Sequence, residues 1–261
     1  MKHARNMKRF GALLLPTLLL ACGSAESSPS PAPAAAAGAG GAGGGNAVGM
    51  PPPTGRQRCQ PPPGFTGSPQ TIDEAVALLN ALPKPTSVSC FVESLDRPLT
   101  VFSTNSAFSA QPALSTRSPR VFIRTGNLWS SIVIGDPSHL LEFGYLLPGT
   151  MRSIKGELKL PLEQPVAPSA PFDRVLYGGG TACGLCHFHE APAPLAGISN
   201  AFSSVAFKPR PETRVSLEAL RLEAQTCSWQ AEPERCEMLA AVFDGGAVVE
   251  DPFPESMETF F

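Results

Sequence analysis

Between residues 99 and 160 the apolar positions recur with period two. Val121 and Ile123 share one face of a strand, and Leu128 to Ile134 makes the next after the turn Thr125-Gly126-Asn127. Gly135-Asp136-Pro137 breaks that strand. Leu141, Phe143 and Tyr145 alternate, Pro148-Gly149 turns the chain, and Ile154, Gly156, Leu158 and Leu160 alternate against Lys155, Glu157 and Lys159. Short half-buried strands at this spacing predict an antiparallel meander or sandwich. On either side the period lengthens. Ile72, Val76, Leu79 and Leu82 fit one helix face, with Thr71 as N-cap, Glu74 completing a capping box and Pro83 as the stop. Later, Ser216 caps a helix over roughly 217–229, and Pro233 opens another that ends at Gly245-Gly246. Residues 178–212 read as loop, and His139 as a solvated loop side chain.

The N-terminus follows a different rule. Lys2, Arg5, Lys8 and Arg9 precede an apolar run from Phe10 to Ala21, too short to span a bilayer at about 20 residues. The run closes on Leu19-Leu20-Ala21-Cys22, which resembles a bacterial lipobox, where the Cys thiol is acylated and the preceding residues 1–21 are cleaved as a signal peptide. That resemblance implies a lipid anchor at Cys22 in the bilayer, and Gly23 implies sorting to the outer membrane, facing the periplasm or the cell surface. Residues 23–58 hold 9 Gly and 6 Pro, so the segment 22–58 reads as the lipidated Cys and a disordered Gly/Pro/Ala linker. Its ends would lie about 30–35 Å apart.

Over all 261 residues the formal charge is −2. Beyond residue 21 it falls to −6, with 16 Lys plus Arg against 22 Asp plus Glu. No basic surplus is present to neutralise a nucleic-acid backbone, so nucleic acid is excluded as a partner class. The hydrophobic fraction of 43% excludes a wholly disordered chain.

Seven cysteines focus the chemistry. With Cys22 assigned to lipid, Cys59 and Cys90 bracket the first helix, and Cys227 and Cys236 bracket the joint of the last two. Both pairs are plausible disulfides in an oxidising compartment. Cys183 and Cys186 remain, in Cys183-Gly184-Leu185-Cys186-His187. This pentapeptide resembles the haem-attachment motif of c-type cytochromes, and chance would supply it roughly 0.003 times in a chain of this composition. The resemblance implies covalent haem c on Cys183 and Cys186 and iron held by His187 as proximal ligand. Met257, in a C-terminal loop after Pro254, resembles a distal ligand, while Met238, at helical spacing with Leu239, Val242 and Phe243, reads as core. Pro192 and Pro194 depart from the family's long helix after the haem His. Three other readings stay open: a zinc site from Cys183, Cys186, His187 and His189, a Cys183–Cys186 disulfide, and a degenerate cytochrome relic without haem.

The expected fold class is α+β: an antiparallel β-meander or sandwich with an N-terminal helix (59–177), followed by a small α-rich c-type haem region (178–261). The function implied by the resemblance is electron transfer to a periplasmic redox partner, with peroxidase-like chemistry if the distal haem position is open. The alternative is a surface lipoprotein that acts as a binding or structural module. No catalytic constellation such as Ser/His/Asp is visible in the β-rich part, which favours a carrier or binder over an enzyme.

Overall fold

A computed structural model describes residues 57–106, 111–137, 139–193, 195 and 197–260. The expected signal peptide, Cys22 and the expected linker as far as residue 56 lie outside the described residues. Helix α1 (Ile72–Ala81) forms where the sequence predicts it. The Thr71 hydroxyl accepts from the Glu74 N–H, and the Glu74 carboxylate accepts from the Gln70 N–H at 2.6 Å. The reciprocal half of the box therefore closes one residue before the cap. Helix α2 (Val88–Glu93) follows, then strands β1 (Leu99–Thr104), β2 (Arg120–Thr125), β3 (Leu128–Val133), β4 (Leu140–Leu146) and β5 (Arg152–Lys159). These five pair in sequence order, each antiparallel to the next.

Helix α3 (Ala170–Val175) leads into short strands β6 (Leu176–Tyr177), β7 (Gly180–Thr181), β8 (Ala191–Pro192), β9 (Phe202–Val205), β10 (Phe207–Lys208) and β11 (Arg214–Val215). Helices α4 (Leu217–Gln225) and α5 (Pro233–Phe243) precede β12 (Val248–Glu250) and β13 (Glu258–Thr259). The main sheet has nine strands in the order β11-β1-β2-β3-β4-β5-β9-β8, with β12 also on β1. Strand β12 runs parallel along residues 99–101 and β11 antiparallel along 103–104, so two short strands share one edge. The far edge is β8, only two residues long, with Pro192 in it.

The expected α-rich haem region does not appear. Residues 178–261 supply β8, β9, β11 and β12 to the same sheet as the meander, and their helices α4 and α5 stay short. Pro192 and Pro209 interrupt any long helix after His187, and short strands pair there instead. Helix α5 starts at Pro233 as predicted. Met238 is buried in the core, where its sulfur accepts from the Gly135 N–H at 3.2 Å.

The pleat sends alternate side chains to opposite faces. Leu99, Val101, Val121, Ile123, Leu141, Phe143, Ile154 and Leu158 enter one core with α1, α2 and α5. Helix α3 lies against β5 on this face, and Gly156 makes the approach possible: a Cβ there would stand 2.8 Å from Pro171 Cβ. The disulfides fall as paired from the sequence. Cys59–Cys90 has a Cα–Cα distance of 5.1 Å, and Cys227–Cys236 one of 5.6 Å.

Gly156→Ala should therefore cost about 1–3 kcal/mol in urea denaturation, because Pro171 cannot yield without moving α3. Gly144→Ala, on the neighbouring strand with nothing within 4 Å of its Cβ position, should stay within about 0.5 kcal/mol of wild type.

Candidate functional site

The second face of the sheet is partly covered, and most of its side chains are half-buried or buried. Arg120, Phe122, Trp129, Ser131, Glu142 and Lys155 point from β2–β5 into a cavity of about 320 Å³. Two later segments roof it. One is the cysteine loop, which brings Cys183, Cys186 and His187. The other is the C-terminal segment, which brings Phe253, Met257 and Phe260. The period-two pattern placed Lys155 and Glu157 correctly opposite Ile154 and Leu158 but could not foretell that their side is partly covered.

The cysteine loop is built from backbone geometry. β6 and β7 pair as a hairpin, with Gly178 at φ 61 in its turn. A 3-10 turn then spans Ala182–Leu185, and the Thr181 hydroxyl accepts from the Gly184 N–H. Glu190 closes the loop from its far end. Its carboxylate accepts from the Thr181 N–H at 2.7 Å and from the Thr181 hydroxyl. A Cβ at Gly180 would lie 2.1 Å, and one at Gly184 2.8 Å, from that carboxylate, so both positions need glycine for Glu190 to enter. Glu190 went unnoticed in the sequence; its one trace there is the pair of glycines whose Cβ positions it claims.

His187 is fixed from two sides. Its Nδ1 lies 2.9 Å from the Val205 carbonyl oxygen, and a carbonyl only accepts, so Nδ1 carries the proton and Nε2 the lone pair. The ring stacks on Phe207 at 5.5 Å between centroids and tilts toward Phe260 at 6.1 Å. Burial, seconded by the Lys155 charge and opposed by the Val205 bond, pushes the His187 pKa down to about 3. The imidazole is neutral at physiological pH. Burial also pushes the Cys183 thiol up to about 11, with Lys155 pulling the other way. Cys183 is thus protonated near neutrality and a weak nucleophile. Cys183 and Cys186 are not bridged to each other.

Opposite the loop stands an aromatic wall. Phe253 stacks on Trp129 at 4.2 Å and 8°, and meets Phe102 and Phe122 edge-on at 5.2 and 5.1 Å. Arg124 pairs with Asp251 and fixes the segment just before Phe253. The floor holds the Arg120–Glu142 ion pair, in which Arg120 also donates to the Gln111 carbonyl.

The expected site residues divide accordingly. Cys183, Cys186, His187 and the buried Met257 all border this one cavity. His189 has φ 56, and its carbonyl accepts from Arg152 Nη2 at 2.8 Å. His139, in a loop as expected, has φ 52 and is half-buried beside Glu234 at 3.9 Å. The expectation of haem c and iron is overturned. Among the described residues no group of three or more His, Cys, Asp or Glu side chains is placed to hold a metal ion. Cys183, Cys186 and His187 share a cavity but are not grouped to hold a metal ion. The zinc alternative falls on the same finding. Among the described residues no helix is long and apolar enough to cross a membrane. Comparison with known proteins finds no matching family model, no similar curated protein and no similar solved structure.

The neutral His187 has a thermodynamic signature. Its folded pKa of about 3 lies below the ordinary 6.5, so the unfolded chain binds the proton more tightly. Its contribution is intact above pH 6.5 and is lost as pH falls from there toward 3. Urea denaturation of wild type should show this loss between pH 6.5 and about 4, and His187→Phe should flatten it. An NMR titration should find the His187 ring unprotonated at about pH 5. Cys183 should react with iodoacetamide at neutral pH more slowly than free cysteine, as read by peptide mass spectrometry.

Proposed function

We infer that this chain is a lipid-tethered, extracytoplasmic binding protein that takes a small ligand with an apolar body into the cavity between the sheet and the cysteine loop. The observation that carries this reading is the cavity itself. Its volume of about 320 Å³ lies in the range of small-molecule sites, about 300–1,000 Å³. Its wall is mainly apolar, with Trp129, Phe122, Phe207, Phe253 and Phe260 on it, and polar and charged side chains such as Arg120, Glu142 and Lys155 beside them. Flat apolar side chains on rigid strands offer contact area to a planar or aliphatic body at little entropic cost. The groups beside the wall are suited to holding rather than attacking: a protonated thiol, a neutral imidazole and an ammonium.

The location rests on the resemblance of the N-terminus to a lipoprotein signal, with Cys22 as the acylated residue and the 22–58 linker as spacer. Two disulfides accord with an oxidising compartment. In this reading the body stands off the outer membrane, toward periplasm or exterior, and its partner is a small molecule. The electron-transfer reading has lost its cofactor and is not carried further.

The unacylated full chain (C22S), titrated with the neutral aromatic probe N-phenyl-1-naphthylamine, should give a saturable rise in fluorescence. Phe253→Ala should weaken binding about ten- to thirtyfold through the lost aromatic contact. A chain that folds but gives no saturable signal ends this reading. In a host that acylates exported lipoproteins, wild type should sediment with membranes and the C22S chain should remain soluble.

A further inference from the structure

The cavity contains a cation, Lys155, that no carboxylate touches directly among the described residues, although Glu190 and Glu142 stand near enough to favour its charge. Four cationic side chains line the wall: Arg120, Lys155, Arg174 and Lys208. Arg120 faces Glu142 and Arg174 faces Glu157. Lys208, at the cavity margin, reaches the Glu255 carbonyl at 2.8 Å and so holds the C-terminal segment in place. Lys155 shares with Lys208 the lack of an ion pair among the described residues, but its bonds go to side chains of the sheet. Its Nζ donates to the Ser153 hydroxyl at 2.6 Å and the Ser204 hydroxyl at 3.3 Å, both neutral. Among the described residues no carboxylate forms an ion pair with it within 4.0 Å. An ammonium carries three donors, and two are used. Lys155 is half-buried, and partly removing such a charge from water without a direct counter-ion is costly. A ligand that brings the anion removes that cost.

Resting on the binding reading above, we propose that the cavity selects ligands bearing one anionic group, a carboxylate or sulfonate, which Lys155 Nζ receives while the apolar body lies along Trp129 and Phe253. Ser153 and Ser204 orient the ammonium from adjoining strands, since residues 153 and 204 are direct partners in the β5–β9 register. The third N–H is the one left for the ligand. Glu142 does not compete, because Arg120 neutralises it. The polar end of the ligand thus sits near the cysteine loop and the apolar end near the C-terminal aromatics.

The same geometry makes the selection depend on pH. The charged and titratable groups facing Lys155 are Arg152 on its own strand, Glu142 on β4, and Cys183, His187 and Glu190 from the loop. Burial lowers the Lys155 pKa to about 8, with Cys183 and Glu190 pulling it back up. Cys183 at about 11 and His187 at about 3 lie well outside a window from pH 7 to 9. Loss of anion preference across that window therefore reports Lys155.

The test uses two probes that differ by one group: N-phenyl-1-naphthylamine and its 8-sulfonate. Both are titrated into the unacylated full chain (C22S) by fluorescence, and the ratio of their dissociation constants is the readout. At about pH 7 the sulfonate should bind roughly ten- to hundredfold more tightly. Lys155→Met should collapse the ratio toward one, and Lys155→Arg, which keeps the charge, should preserve most of it. The wild-type ratio should fall as pH rises through about 8, a result that needs no variant to fold. If the neutral probe binds and wild type shows no sulfonate preference, or if the preference survives in Lys155→Met, the anion inference is overturned and the binding reading stands. If neither probe binds, the binding reading falls and this inference with it.

Discussion

The alternation of the pleat in β2 to β5 governs this molecule. Each strand feeds two unlike layers at once, with Ile154 and Leu158 toward the helices and Lys155 and Glu157 toward the cavity. A slip of one residue in any pairing would drive charge into the core and leucine into the cavity. The register is therefore fixed by burial on both sides. The helix layer supplies the apolar area that stabilises the sheet, and the stabilised sheet then holds Arg120, Glu142, Trp129 and Lys155 at set positions. A binding site whose floor is a sheet inherits the stiffness of the core behind it.

Much of the first layer was legible in the sequence. The meander, the capped first helix, Pro233 at the start of α5, the core placement of Met238 and both disulfides follow from local rules that need no tertiary knowledge. The second layer was not legible, for a physical reason. Period-two alternation reports that two faces differ; a face lined by Lys155, Glu157 and Glu142 gives the same pattern whether water or protein lies beyond it. The covering segments give little signal of their own. β8, β10 and β13 are two residues long and are ordered by partners far away in sequence. Among the candidate residues, the Cys183–His187 pentapeptide lies, with Met257, along one cavity. It did not reveal Glu190, Lys155 or Phe253, because no local spacing links them. It also suggested a haem chemistry that the arrangement of donors does not support.

Inside the cavity, polarity is kept low by mutual adjustment. Lys155 holds the His187 proton off and eases ionisation of Cys183, while burial acts against charge on all three. Cys183 and His187 thus present neutral polar atoms to the cavity, and the charge of the loop is the Glu190 carboxylate held by Thr181. Few charges in a weakly screened space act at longer range and with more discrimination than many on a surface.

The margins of the sheet have a consequence of their own. On one side two brief strands divide β1 between them, one parallel and one antiparallel; on the other, Pro192 removes an amide donor from a strand of two residues. If the proposed tether holds copies of this chain at high local density, an open strand would invite neighbours to zip together. Borders this short and blunt offer such neighbours no register to lock into, so crowding need not turn into aggregation.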